Sequence, residues 1–155
     1  MLEVGNKAPH FISKIDGDRD FDIKDFLGSW VVLYFYPKDD TSGCTKEACG
    51  FRDNMERITT FGANVFGVSP DSVKSHDKFK EKYNLNFNLI ADPEKEICNK
   101  FEVMGEKKMY GKTYMGVVRS TFLINPDGNI AFIWRNVKVD GHVDEVISKL
   151  EELKK

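Results

Sequence analysis

Short apolar runs alternate along the chain with segments in which apolar residues recur every three or four positions. WVVLYFYP, Trp30 to Pro37, is continuously apolar and aromatic and is closed by proline, the pattern of a strand buried on both faces. After the polar loop KDDTSG, the residues Ala48, Phe51, Met55, Ile58 and Phe61 mark one face of a helix running from about Gly43 to Phe61. NVFGVS predicts a second strand, SVKSHDKFKEKYN a polar amphipathic helix, FNLIAD a third strand and PEKEICNKF a short helix opened by Pro93. RSTFLINPDGNIAFIWRN reads as two strands around the turn pair Asp127 and Gly128, hence a β-hairpin. DGHVDEVISKLEELKK closes the chain as an amphipathic helix with Val143, Ile147 and Leu150 on one face. Glu102 to Gly116 shows no such period and is expected to be a long irregular loop, of a length that is often functional.

The order β-α-β-α-β-α implies parallel strands joined by right-handed crossovers, and the terminal hairpin adds antiparallel partners to the same sheet. The expected fold is α/β, a mixed central sheet with helices on both faces. At 155 residues, residues 1–155 are expected to form one domain. In such a sheet ligands collect at the carboxyl ends of the strands, and the loop from Pro37 to Gly43 lies at one of them.

Charged residues make up 31% of the chain with a formal net charge of -2, so nothing in the balance points to nucleic acid or an anionic membrane. MLEVGNKAPHF has neither a basic segment nor an apolar stretch of signal-peptide length, and no window reaches a transmembrane span. The expected location is cytoplasmic. Three cysteines argue against a secreted disulfide framework and leave catalytic, redox, metal or buried roles. His10, His76 and His142 are far apart and read as surface residues, so no metal site is expected. Tyr34 and Tyr36 read as aromatic core, and the lysines of GEKKMYGK as a solvated loop. With Thr41 or Ser42 as N-cap, Cys44 falls in the first helical turn, where unpaired N–H groups and the positive end of the macrodipole favour an anion. Cys44 is thus either a reactive thiolate or a small buried hydrophobe, and its flanks DDTSG and TKE suit the first better.

YPKDDTSGCTKEACGFRD resembles the active-site signature of peroxiredoxins, Pro-x-x-x-Thr/Ser-x-x-Cys, on Pro37, Thr41 and Cys44. CTKEAC is similar to the bacterioferritin comigratory protein, or peroxiredoxin Q, group, as is GEKKMYGKTYMGVVRSTFLINPDG, and the likeness runs from VGNKAPHF to the last helix. The resemblance implies a thioredoxin-like fold and a thiol peroxidase with no cofactor. Cys44 would attack hydrogen peroxide or an organic hydroperoxide, and Cys49 would resolve the sulfenic acid as an intramolecular disulfide that a thioredoxin-like protein reduces. Thr41 would hold the peroxide, Arg119 stabilise the thiolate, Pro37 shield it and Glu47 fix the arginine, although its spacing alone makes Glu47 an exposed helix residue.

Ser42 stands where many relatives have proline, and His10 where the group commonly has aspartate. Some members carry the resolver on the next helix, but SVKSHDKFKEKYN has no cysteine, and Cys98 reads as a packed helix residue. A general thiol-disulfide oxidoreductase would want a close Cys-x-x-Cys, whereas four residues intervene here, and a non-enzymatic redox sensor is a third reading. On an intact helix Cys44 and Cys49 would lie roughly 8.6 Å apart at Cα. A disulfide spans about 4.4 to 6.8 Å, so the helix is expected to unwind, with Gly43 and Gly50 easing it. A resolver so close removes one need for a dimer, so a monomer is expected, with a homodimer as the alternative.

Overall fold

The computed structural model describes residues 1–154. A seven-stranded mixed sheet runs in the order β2-β1-β5-β4-β3-β8-β9, built from β1 (Ile12–Ile15), β2 (Arg19–Asp22), β3 (Trp30–Phe35), β4 (Ala63–Ser69), β5 (Asn88–Ala91), β8 (Ser120–Ile124) and β9 (Ile130–Trp134). β3, β4 and β5 are parallel, while β1 pairs with β5, and β8 with β3 and β9, antiparallel. The remaining elements are the helices α1 (Ser42–Asp53), α2 (Met55–Thr60), α3 (Val73–Tyr83), α4 (Glu96–Lys100) and α5 (His142–Leu153), and a separate ribbon of β6 (Met104–Met109) and β7 (Lys112–Val117). This is the mixed, thioredoxin-like α/β arrangement expected.

The alternation of β3 explains the layers. Val32, Tyr34 and Tyr36 pack with apolar residues of α1, α2, α3 and α5 on one side of the sheet. Val31, Leu33 and Phe35 pack on the other with Phe11 and Phe21, with Ile97 and Cys98 of α4, and with Phe101 at its C-cap. Both faces of the strand are therefore core, as its unbroken apolar run predicted.

Four local expectations are corrected. β1 and β2 were not foreseen, because each contributes only one buried residue, Ile15 and Phe21, and so shows no readable alternation. The helix expected from Gly43 to Phe61 is broken at Asn54 (φ -112°, ψ 8°), whose side-chain amide donates to the Gly50 carbonyl and ends α1. The stretch expected to be irregular holds the β6–β7 hairpin, turned by Tyr110 and Gly111 at φ 53° and 76°, the positive angles of a type I′ turn. Its faces are mostly exposed, which removed the alternation that marks a half-buried strand. α4 starts at Glu96 rather than at Pro93, with the Asp92 carboxylate accepting from the Ile97 and Cys98 N–H groups.

Gly67 of β4 lies opposite Tyr34 and carries its ring. A Cβ there would stand 2.8 Å from the Tyr34 Cζ and hydroxyl and 3.0 Å from Leu89 Cδ2. The ring cannot yield, since it is fully buried and stacked on Phe51 at 4.8 Å. Gly67→Ala should therefore cost about 1–3 kcal/mol of stability by overpacking, read from the urea midpoint. A variant as stable as wild type would show that the sheet can spread there.

Candidate active site

The carboxyl end of β3 leads through Pro37 into the loop that precedes α1. Thr41 is the N-cap in extended conformation (φ -96°, ψ 158°), and the first intrahelical bond runs from the Thr45 N–H to the Thr41 carbonyl at 2.8 Å. The N–H groups of Ser42, Gly43 and Cys44 consequently have no intrahelical acceptor. The Thr41 hydroxyl does not close the cap; it donates to the Lys38 carbonyl at 3.0 Å.

Arg119, in the two-residue corner between β7 and β8, reaches across to this helix start. Its Nη2 donates to the Cys44 Sγ at 3.2 Å, and its Nη1 to the Glu47 Oε1 at 2.7 Å. A Cβ on Gly43 would stand 3.3 Å from Nη2, so glycine there gives the guanidinium room. Cys44 is 2% exposed and Glu47 0%. A buried thiol in hydrogen-bond contact with a fixed cation, at a helix N-terminus, is suited to nucleophilic thiolate chemistry.

Residues 4–133 match the AhpC/TSA family. Peroxiredoxin Bcp of Bacillus subtilis is 47% identical over 152 residues, covering 98% of this chain and 97% of the relative. Peroxiredoxin Bcp of Escherichia coli is 41% identical over 151 residues, 97% of each. The chain is a peroxiredoxin of the bacterioferritin comigratory protein, or peroxiredoxin Q, group. The structure of a cysteine-to-serine mutant of Xylella fastidiosa PrxQ matches it with a TM-score of 0.95 at 38% identity, covering 100% of this chain and 99% of that one. Peroxiredoxin Q of Xanthomonas campestris matches with 0.90 at 42% identity, covering 94% and 92%. The thiol-peroxidase class and the fold agree with the reading of the sequence.

In this peroxiredoxin Cys44, Arg119 and Glu47 form one connected group, Thr41 stands at the helix start, and half-buried Pro37 borders the loop. Cys49 lies half-buried on the same unbroken helix, and all three cysteines are free. Glu47 is not the exposed residue its spacing suggested. It shares the stripe of Cys44, Ala48 and Phe51, three or four residues apart, and that stripe faces the core. His76 and His142, expected at the surface, are also buried; only His10 is exposed, bonded to Asp22. His142 contacts the Thr121 hydroxyl at 2.8 Å with its ring edge-on to Trp134 and Phe51. Burial and the charge of Arg119 push its pKa down to about 4, so at neutral pH it is an uncharged packing residue. Cys98 is fully buried, and burial and Asp92 push its thiol well up. No helix among the described residues is long and apolar enough to cross a membrane.

Glu47 is the electrostatically stressed member of the group. Burial raises its pKa from 4.5 to about 7 despite the nearby Arg119, and its Oε2 has no hydrogen-bond partner among the described residues. A folded carboxyl raised in this way holds its proton where the unfolded one has lost it. Stability therefore falls as pH rises from about 4.5 to about 7 and is not recovered above. Glu47→Gln cannot titrate, so the stability of wild type minus that of the variant should decline across this window and level off beyond it. A difference independent of pH, measured by urea unfolding, would mean that Glu47 ionises alike in both states.

Proposed function

We propose that this chain, acting as one domain, reduces hydrogen peroxide and organic hydroperoxides through Cys44. The observation that carries this reading is the contact of Arg119 Nη2 with Cys44 Sγ at 3.2 Å, held from behind by Glu47. The thiolate attacks one peroxide oxygen, the O–O bond breaks, and the sulfur becomes a sulfenic acid while the departing oxygen takes up a proton as water or alcohol. Thr41 and the free N–H groups of the first turn hold the peroxide oxygens, Arg119 stabilises the developing charge, and Pro37 keeps water from the thiolate. Support for organic substrates comes from the bacterioferritin comigratory protein of Xanthomonas campestris, whose structure was described for its alkyl peroxide reduction activity.

Cys49 then attacks the sulfenic acid, releasing water and forming a disulfide. Both cysteines lie on α1, where five residues of helix separate the Cα atoms by about 8.6 Å, too far for a disulfide. The first turns unwind for this step. A thioredoxin-like protein returns both thiols, without cofactor or metal. The enzyme works in the cytoplasm as a monomer, with a homodimer as the alternative, and needs neither nucleic acid nor membrane.

Gly50 has a second role besides loosening the helix. A Cβ there would lie 3.0 Å from Val143 Cγ2, so alanine would press α1 away from α5 as well as favouring helix, and Gly50→Ala does not isolate the unwinding step.

Stopped-flow mixing with hydrogen peroxide separates a peroxidase, which is oxidised rapidly and turns over with reductant, from a sensor that is oxidised without turnover and a reductase that does neither. Cys44→Ser should abolish the reaction and Cys98→Ser leave most of it. Cys49→Ser should keep the first oxidation but accumulate Cys44 sulfinic acid in excess peroxide, seen by mass spectrometry of its peptide. Comparable losses at Cys44 and Cys98, or a Cys44–Cys98 disulfide, would exclude the scheme. Arg119→Met removes the donor at Cys44 and should slow the oxidation by about 10²-fold or more; an unchanged rate constant would remove Arg119 from the mechanism.

A further inference from the structure

Behind the loop from Pro37 to Thr41 lies a buried polar cluster that the chemistry above does not use. Asp39, 7% exposed, accepts at Oδ1 from the Tyr36 hydroxyl at 2.5 Å and at Oδ2 from the Ser75 hydroxyl at 2.8 Å. The same Oδ2 faces His76 Nδ1 at 2.7 Å, and the other ring nitrogen, Nε2, lies 3.0 Å from the Ile90 carbonyl oxygen. His76 is fully buried. The Asp39 N–H donates to Asp71 Oδ2 at 2.8 Å, which also accepts from the Ser69 hydroxyl at 2.7 Å. The next residue, Asp40, takes the Lys82 ammonium and the Tyr83 hydroxyl, each at 2.7 Å. Helix α3 and its N-terminal approach thereby hold both aspartates that stand just ahead of Thr41.

The protonation of His76 follows from its partners. A carbonyl oxygen only accepts, so Nε2 must carry a hydrogen; a carboxylate only accepts, so Nδ1 must carry one too. An imidazole with two N–H groups is a cation. The alternative, a neutral ring with the proton on Asp39 Oδ2, would require that oxygen to donate to Nδ1 while it still accepts from the Ser75 hydroxyl.

We propose that His76 is a positioning residue for peroxide reduction: as an imidazolium it locks Asp39 to α3, and so holds the loop carrying Pro37 and Thr41 in place beside Cys44. The link to the reacting atoms is short. The Lys38 carbonyl, adjacent to Asp39, accepts from the Thr41 hydroxyl at 3.0 Å, so a displaced Asp39 carries that hydroxyl with it. The clamp also sets where unwinding of α1 stops, because residues 39 and 40 stay fixed to α3 while the turn from Ser42 onward opens. The inference rests on Cys44 and Thr41 acting as proposed above.

Nitrogen-15 NMR of the histidine rings at neutral pH tests the protonation directly in the wild-type protein. His76 should show hydrogens on both nitrogens, whereas His142 shows one. His76→Leu should lower the second-order rate constant for oxidation of Cys44 by hydrogen peroxide about tenfold or more, as expected when a substrate-holding group is displaced. Asp39→Asn keeps a clamp of the same shape with a neutral ring, so it should retain most of the rate while His76 changes to a single N–H. A bare Nδ1 in wild type, a folded His76→Leu protein with the wild-type rate, or equal losses in the two variants would each overturn the proposal. Peroxide oxidation surviving in Cys44→Ser would instead overturn the assignment of Cys44, whatever the state of His76.

Discussion

A guanidinium held 3.2 Å from a thiol sulfur that is almost wholly buried is the constraint to which the rest of the structure answers. Taking a cation out of water costs several kcal/mol unless it is paired, and Glu47, itself without solvent contact, supplies the pair. Three separate parts of the chain must therefore meet within a few ångströms. The end of β3 aims the loop, the start of α1 presents Cys44 and Glu47 on one face, and the corner between β7 and β8 delivers Arg119. β3 lies between β4 and β8 in the sheet, so the pairing that builds the core also sets the distance between thiol and arginine.

The two halves of α1 are anchored very differently. Phe51 is buried and stacked on Tyr34 at 4.8 Å, with Ala48 beside it in the same core cluster. Cys49 and Gly50 are only half-buried, and the first turn has no side-chain cap. Burying a phenylalanine is worth about 1.5–3 kcal/mol, so the second half of the helix resists opening while the first turns depend on the contacts of Cys44 and Glu47. In the proposed cycle this asymmetry starts the opening at the first turn, which carries Cys44, while Cys49, set between Ala48 and Phe51, stays with the anchored half.

The main sheet and the place of the thiol were legible in the sequence because their signals are strong. The unbroken apolar run of β3 and the turn pair Asp127 and Gly128 each leave one reading, and the three-to-four spacing marks α1, though not its end at Asn54. What stayed hidden was burial without hydrophobicity. Glu47, Asp39 and His76 are polar residues inside the protein, and a polar letter reads as surface unless its partners, distant in sequence, are known. Glu47 and Arg119 are 72 residues apart, Asp39 and His76 37. A local signal did exist: Glu47 shares the stripe of Cys44, Ala48 and Phe51, and His76 precedes buried Phe79 by three positions on α3. The β6–β7 ribbon was hidden for the opposite reason, since strands with little to bury have no alternation to display.

Oxidation of Cys44 would itself weaken the contact that pins the first turn of α1. As a thiolate, Cys44 meets Arg119 in a charge-assisted hydrogen bond, worth about 1.5–3 kcal/mol against about 1 kcal/mol for a neutral one. A sulfenic acid is uncharged, so on the proposed scheme the attack on peroxide removes much of the attraction that it relied on. Arg119 is then left to Glu47 alone, and Glu47 belongs to the same turns that must open. Helix ends lie at the low end of local stability, where a loss of this size shifts the balance between wound and open by about tenfold. On that scheme the chemical step would bias the helix toward the form in which Cys49 can reach the sulfur, and a thiolate in the reduced protein would bias it toward the form proposed to bind peroxide. No separate trigger is required.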